Sequence, residues 1–144
     1  MLSVYIDGGA RGNPGPAAAG FVVVDKGGVE LHRSGKRLGI TTNNCAEYAA
    51  LIEALKYLTG CNLQYVRGAH DGGEIIIYSD SELLVRHMQG RYRVRDKKLI
   101  PLFHEARELI DKLGDIRIEH ISRKENNLAD IIVNRVLDGL EYGT

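Results

Sequence analysis

Residues 75–80 read Ile75-Ile76-Ile77-Tyr78-Ser79-Asp80, and the fold turns on them. An unbroken apolar run of this length predicts a strand (Glu74–Ser79) covered on both faces, the habit of parallel sheets. Working outward, both flanks change to helical period. Upstream, Thr41-Thr42-Asn43-Asn44 supplies N-cap residues for a helix reaching about Leu58. Downstream, Ser81–Met88 reads as a short helix. Lys97–Leu113 reads as a longer one, from the spacing of Leu99, Leu102, Phe103, Ala106, Leu109, Ile110 and Leu113. Ile116–Ile121 is a further strand and Glu125–Leu140 a last helix. A strand set between helices needs parallel partners, and the N-terminal third supplies one. Leu2–Ile6, ending at Asp7-Gly8-Gly9, opens an antiparallel meander that continues through Gly20–Asp25 and Val29–Lys36. The order is βββαβααβα. It predicts an α/β protein with a mixed five-stranded sheet, strands one, four and five parallel, and helices on both faces.

The 144 residues suit one domain, 1–144. Nineteen basic residues balance nineteen acidic ones, so net charge draws no partner. The distribution is uneven, however. Between Arg86 and Lys98 stand six bases (Arg86, Arg91, Arg93, Arg95, Lys97, Lys98) against Asp96 alone, and local charge outweighs the total where screening is short-ranged. Cys45 and Cys61 lack the Cys-x-x-Cys spacing of a metal site and are too few for a disulfide framework. No apolar run approaches the roughly 18 residues of a membrane span, and the N-terminus lacks the pattern of a secretory signal. The expectation is a cytoplasmic protein with reduced thiols and no membrane contact. The segment Gly60–Gly73 is expected to be a loop.

Four carboxylates stand in places that ask for an explanation. Asp7 and Asp80 close the first and fourth strands, where open sheets gather ligands. Glu47, placed in the first turn of the first long helix, heads the apolar stripe Leu51, Ala54, Leu55 and Leu58. Asp130, near the start of the last helix, shares a face with Val133 and Leu137. Each alone has an ordinary reading as a turn former, a helix-dipole acid or an N-cap. Together they can face one sheet edge. There they would repel by roughly 4 kcal/mol per pair at 4 Å unless protons or cations neutralise them. Oxygen ligands without His or Cys suit Mg²⁺ or Mn²⁺, and two such ions are the apparatus of phosphodiester displacement.

Four blocks carry a resemblance: Asp7-Gly8-Gly9-Ala10-Arg11-Gly12-Asn13-Pro14-Gly15-Pro16; Thr41-Thr42-Asn43-Asn44-x-x-Glu47; Tyr78-Ser79-Asp80-Ser81; and Asn126-x-x-x-Asp130. In this order and on this frame the sequence resembles type 1 ribonuclease H. The resemblance implies an endonuclease that cuts the RNA strand of RNA–DNA hybrids, leaving 5′-phosphate and 3′-hydroxyl ends. It implies that Asp7, Glu47, Asp80 and Asp130 are the catalytic residues and hold two Mg²⁺ (or Mn²⁺) ions. It also implies RNA-backbone contact by Gly12 and Asn13, minor-groove contact by Asn43, and a grip on the DNA strand by Thr42 and Asn44. Glycine permits close approach, and an Asn amide can meet a 2′-hydroxyl as donor or acceptor.

The chain departs from that family in two ways. The long basic protrusion of many members shrinks to Gln89–Lys98, where Arg91, Arg93 and Arg95 are candidates to replace its phosphate grip; a plain solvated connector is the competing reading. The loop before the last acid carries Ser122-Arg123-Lys124-Glu125-Asn126 in place of a histidine. Arg123 or Glu125 could assist there, and His120 reads as structural. His70, His87 and His104 fit no motif. Competing functions are a hybrid-binding module without catalysis and another nuclease of the same fold. Activity on double-stranded RNA is compatible with the leading reading. No dimer surface is evident, so a monomer is expected.

Overall fold

The computed structural model describes residues 1–60 and 74–140. Its elements are β1 (Leu2–Ala10), β2 (Gly15–Val24), β3 (Glu30–Thr41), α1 (Asn43–Gly60), β4 (Ile75–Ser79), α2 (Glu82–Met88), α3 (Ile100–Leu113), β5 (Ile116–His120), a 3-10 turn (Lys124–Asn126) and α4 (Asn127–Leu137). The strands form one sheet in the order β3-β2-β1-β4-β5. β1 pairs antiparallel with β2 and parallel with β4, and β4 pairs parallel with β5. This is the mixed sheet that the isoleucine run predicts. The Gly60–Gly73 loop, with Cys61 and His70, lies outside the described residues except for Gly60, which closes α1.

Alternation along β1 sends Leu2, Val4 and Ile6 to one face, where they are fully buried against α1. α1 is apolar around most of its girth. Ala46, Ala50 and Ala54 let it lie close, and Leu51, Leu55 and Leu58 fill the space between sheet and α3. Each such leucine contributes about 1.5–3 kcal/mol by leaving water. The opposite face is covered by α4, whose Ile132, Val133 and Val136 pack on Ala18 and Val22 of β2. Gly20 makes that approach possible: a Cβ there would lie 2.8 Å from Ile132. Helices thus occupy both faces.

Several boundaries differ from the sequence reading, each for a visible reason. Asp7 does not end β1. The strand runs on to Ala10 because β2 continues beside it as far as Ala17, so only the parallel ladder with β4 stops at Ile6. β2 begins at Gly15 instead of Gly20, since the small residues Ala17, Ala18 and Ala19 sit buried under the helices. β3 reaches Thr41, held by its pairing with β2 through a bulge. α3 starts at Ile100, with Pro101 in its first turn, after a turn in which Asp96 accepts from Lys98 and Leu99 backbone amides. α4 ends at Leu137, not Leu140, where Gly139 takes a positive φ of 76°.

Candidate active site

The site is assembled by close backbone approach. A Cβ at Gly8 would stand 2.1 Å from the Ala46 carbonyl oxygen, so only glycine lets the start of α1 rest on β1. That contact puts Glu47, which sits at the start of the second turn of α1 and not in the first, beside Asp7. The Gly8 amide donates to Glu47 Oε1 at 2.7 Å. Asp80 follows directly on the last residue of β4. One carboxylate oxygen from each of Asp7, Glu47 and Asp80 lies within 4.8 Å of the others.

Asp130 enters from α4. It lines the same cleft, of about 310 Å³, near enough to Asp7 to raise that carboxyl, but it is not part of the tight trio. Asn134, one turn later, donates to the Asp130 carboxylate at 3.3 Å. Arg11 reaches Asn134 and pairs with Asp138 at 2.6 Å. Arg11 and Asn134 thus form the far wall of the cleft, a role no motif announced.

Electrostatics here oppose folding. Asp7 is buried, and burial first, then Asp80 and Asp130, pushes its carboxyl up to about 8, against a small lowering by the Gly8 amide. Burial first, then Asp7 and Asp80, holds Glu47 well above the carboxylate range; the Gly8 amide and Arg123 pull slightly the other way. Among the described residues none of the four acids makes an ion pair. The converging acids offer oxygen ligands, and among the described residues no His or Cys lines the cleft. This suits a hard divalent cation and does not suit zinc.

The remaining predicted residues divide. Asn43 lines the cleft wall, where its Oδ1 accepts from the Ala10 amide at 2.8 Å. Asn13 Oδ1 accepts from the Asn43 amide at 3.0 Å, tying the Gly12-Asn13 turn to the head of α1. Thr42 Oγ1 caps that helix through the Cys45 amide. Asn44 is exposed beside it. Arg91, Arg93 and Arg95 are exposed on the connector and do not line the acid cleft.

The loop before α4 is a capping box. Glu125 Oε1 accepts from the Ser122 amide at 3.0 Å, and Ser122 Oγ accepts from the Glu125 amide at 3.2 Å. Glu125 is therefore committed to shaping the loop, whereas Arg123 lines the cleft. The Ser-x-x-Glu spacing was the sequence signal for this. His120 closes β5, paired with Ser79 of β4, and its side chain is exposed outside the core. His87 is buried, with its Nδ1 2.8 Å from the Tyr48 hydroxyl.

Residues 5–136 match the family model described as reverse transcriptase-like. The chain is 38% identical over 139 residues to ribonuclease HI of Halobacterium salinarum, covering 95% of this chain and 64% of that protein. It is 37% identical over 137 residues to a bifunctional protein of Mycobacterium tuberculosis, covering 94% of this chain but 35% of that protein. It therefore spans under two thirds of these relatives. Ribonuclease H of Thermosynechococcus vestitus is 30% identical, with 96% of this chain and 90% of that protein covered. In shape, LC11-RNase H1 in complex with an RNA/DNA hybrid superposes with a TM-score of 0.86 at 40% identity, over 96% of this chain and 98% of that one. Nearly every residue from β1 to α4 thus has its counterpart in proteins of that name, and the chain belongs to the type 1 ribonuclease H family.

Proposed function

We propose that this protein is an endonuclease that hydrolyses the RNA strand of RNA–DNA hybrids, leaving 5′-phosphate and 3′-hydroxyl ends. The observation that carries the reading is the convergence of Asp7, Glu47 and Asp80 within 4.8 Å, none of them in a salt bridge among the described residues. The hybrid bound by the similar LC11-RNase H1 supports the choice of substrate.

Asp7, Glu47 and Asp80, with Asp130 from α4, are the residues that would hold the metal. Two Mg²⁺ or Mn²⁺ ions bound there would supply a water of lowered pKa and stabilise the departing 3′-oxygen. The protein's own part is positioning. Gly8 fixes Glu47 against β1. Asn43 and Asn13, locked to each other and to Ala10, set the polar wall along which an RNA backbone with its 2′-hydroxyls would lie. Gly12 gives that turn its positive φ of 95°. Thr42, which caps α1, and Asn44 in its first turn would grip the DNA strand. Arg91, Arg93 and Arg95 offer exposed charge to phosphates further along. Arg123, which lines the cleft, would meet the phosphate undergoing attack. No helix of the described residues is long and apolar enough to cross a membrane; a cytoplasmic monomer completes the reading.

The test is incubation of an end-labelled hybrid with and without Mg²⁺, with end-group analysis, beside Asp80→Asn. Metal-dependent cutting of the RNA strand is expected. The variant should fall by at least about 10³-fold while keeping its fold. Full cutting by the variant would remove the site assignment. Parallel incubations with double-stranded RNA and double-stranded DNA separate the alternatives. Cutting of double-stranded RNA would broaden the substrate range, and cutting of DNA alone would point to another nuclease of this fold.

A further inference from the structure

The parallel ladder of β1 and β4 stops at the pair Ile6–Ser79. Beyond it β4 turns away. The Ser81 amide is taken by Ser79 Oγ at 3.0 Å, and the Ser79 carbonyl accepts from the Ile121 amide at 3.0 Å. The strands part just where Asp7 and Asp80 must stay close. Asn126 fills the gap. It is fully buried, and its Nδ2 donates both to the Ile6 carbonyl at 2.7 Å and to Asp80 Oδ2 at 3.2 Å. The capping box and the Asn126 amide's bond to the Arg123 carbonyl hold it there.

We infer that Asn126 is a positioning residue, whose amide clamps the Asp80 carboxylate to the end of β1 and so sets the Asp7–Asp80 spacing on which cation binding depends. The inference rests on the metal-dependent reading above. Three features favour it over a plain packing role. The two acceptors fix the amide's orientation, since the flipped amide would set oxygen against oxygen. A neutral donor orients Asp80 without cancelling the charge a cation needs, which a lysine in its place would do. Finally, Asn126 Oδ1 is buried with no donor among the described residues. Such an orphan acceptor is a cost that a residue chosen for stability alone would avoid.

The experiment is a Mg²⁺ titration of Asn126→Ala and Asn126→Ser, read both as hybrid cleavage and as the Mg²⁺-induced rise in Tm. Loss of an outer hydrogen bond to a metal ligand typically weakens binding about 10–100-fold. Half-saturating Mg²⁺ should therefore rise at least about tenfold, the Tm response should shift to the same higher concentrations, and KM for the hybrid should stay within about twofold. A lower metal-free Tm with wild-type half-saturation would overturn the inference, as would a raised KM with unchanged Mg²⁺ dependence. If Asn126→Ala does not fold, Asn126→Ser, which keeps one hydroxyl donor, is read by the same criteria. A wild-type protein showing neither Mg²⁺-dependent cutting nor a Mg²⁺-induced Tm rise would instead overturn the active-site reading itself.

Discussion

Replacing Asp7 with asparagine should make the metal-free protein more stable. Burial and the facing carboxylates push the Asp7 carboxyl from 3.8 to about 8. The unfolded chain ionises it near 3.8, so at pH 7 folding must hold either an extra proton or an opposed charge. The gap between pH 7 and the unfolded value converts to a cost of about 4 kcal/mol. Asparagine keeps the shape but not the charge, so a gain of about 2–4 kcal/mol is expected. For a chain of this length that is roughly 6–12 °C in Tm. The sign with pH follows from the direction of the shift. A folded value raised above the unfolded one costs nothing below about pH 4; the cost grows as pH climbs through the window and levels off above about pH 8. Urea unfolding in EDTA from pH 4 to 8 should show the two proteins nearly equal at the acid end and furthest apart at the alkaline end. In 10 mM Mg²⁺ the wild type should recover part of the difference, about 1–2 kcal/mol for a millimolar site. A variant no more stable than wild type at pH 8 in EDTA would refute the repulsion argument, and so would a gain that does not change with pH.

Gly8→Ala should cost more than about 3 kcal/mol, because the new methyl would meet the Ala46 backbone and not a yielding side chain; chemical denaturation measures it, and a loss under 1 kcal/mol would show that β1 and α1 can part without harm. Ser122→Ala opens the capping box and should lower stability by about 1 kcal/mol, a loss checked by thermal melts. Arg91, Arg93 and Arg95 replaced together by alanine should raise KM for the hybrid and flatten its log–log salt dependence by about 2–3 units, with kcat little changed; an unaltered slope between 50 and 200 mM salt would return the connector to a plain solvated surface.

What the sequence displayed, and what it hid, divides along physical lines. Periodicity exposes elements that bury a face, so the isoleucine run of β4 and the leucine stripe of α1 were legible, and topology followed from their order. Strand ends were not. β1 runs past Asp7 because its neighbour β2 is still pairing there, a fact of the partner and not of the Asp7-Gly8-Gly9 turn chemistry. The acids were legible because a carboxylate on an apolar face is conspicuous. Arg11 and Asn134 were not, since an exposed arginine and a helical asparagine are ordinary until the fold lays them along one cleft. Between Arg123 and Glu125 the sequence reading did not choose, because Ser122, the partner of Glu125, was not counted as a cap. In space Glu125 is occupied by the backbone, and Arg123 is left facing the site.

The devices that build the cleft all work against its charge. Gly8 brings α1 onto β1 at backbone contact, Gly20 brings α4 onto β2 directly opposite Asp7, and Asn126 stitches Asp80 to the end of β1. Each shortens the distance between groups that repel, and none adds a cation. A structure shaped by stability alone would let β1 and β4 splay after Ile6 and would place a lysine or a hydrophobic residue at position 126. That the chain closes the splay with a neutral amide, whose oxygen has no donor among the described residues, fits a need to keep the negative charge and to keep it in place. The same reasoning says which acids oppose the fold: burial and facing carboxylates raise both Asp7, against Asp80 and Asp130, and Glu47, against Asp7 and Asp80, so neutralising either should relieve repulsion in the metal-free protein.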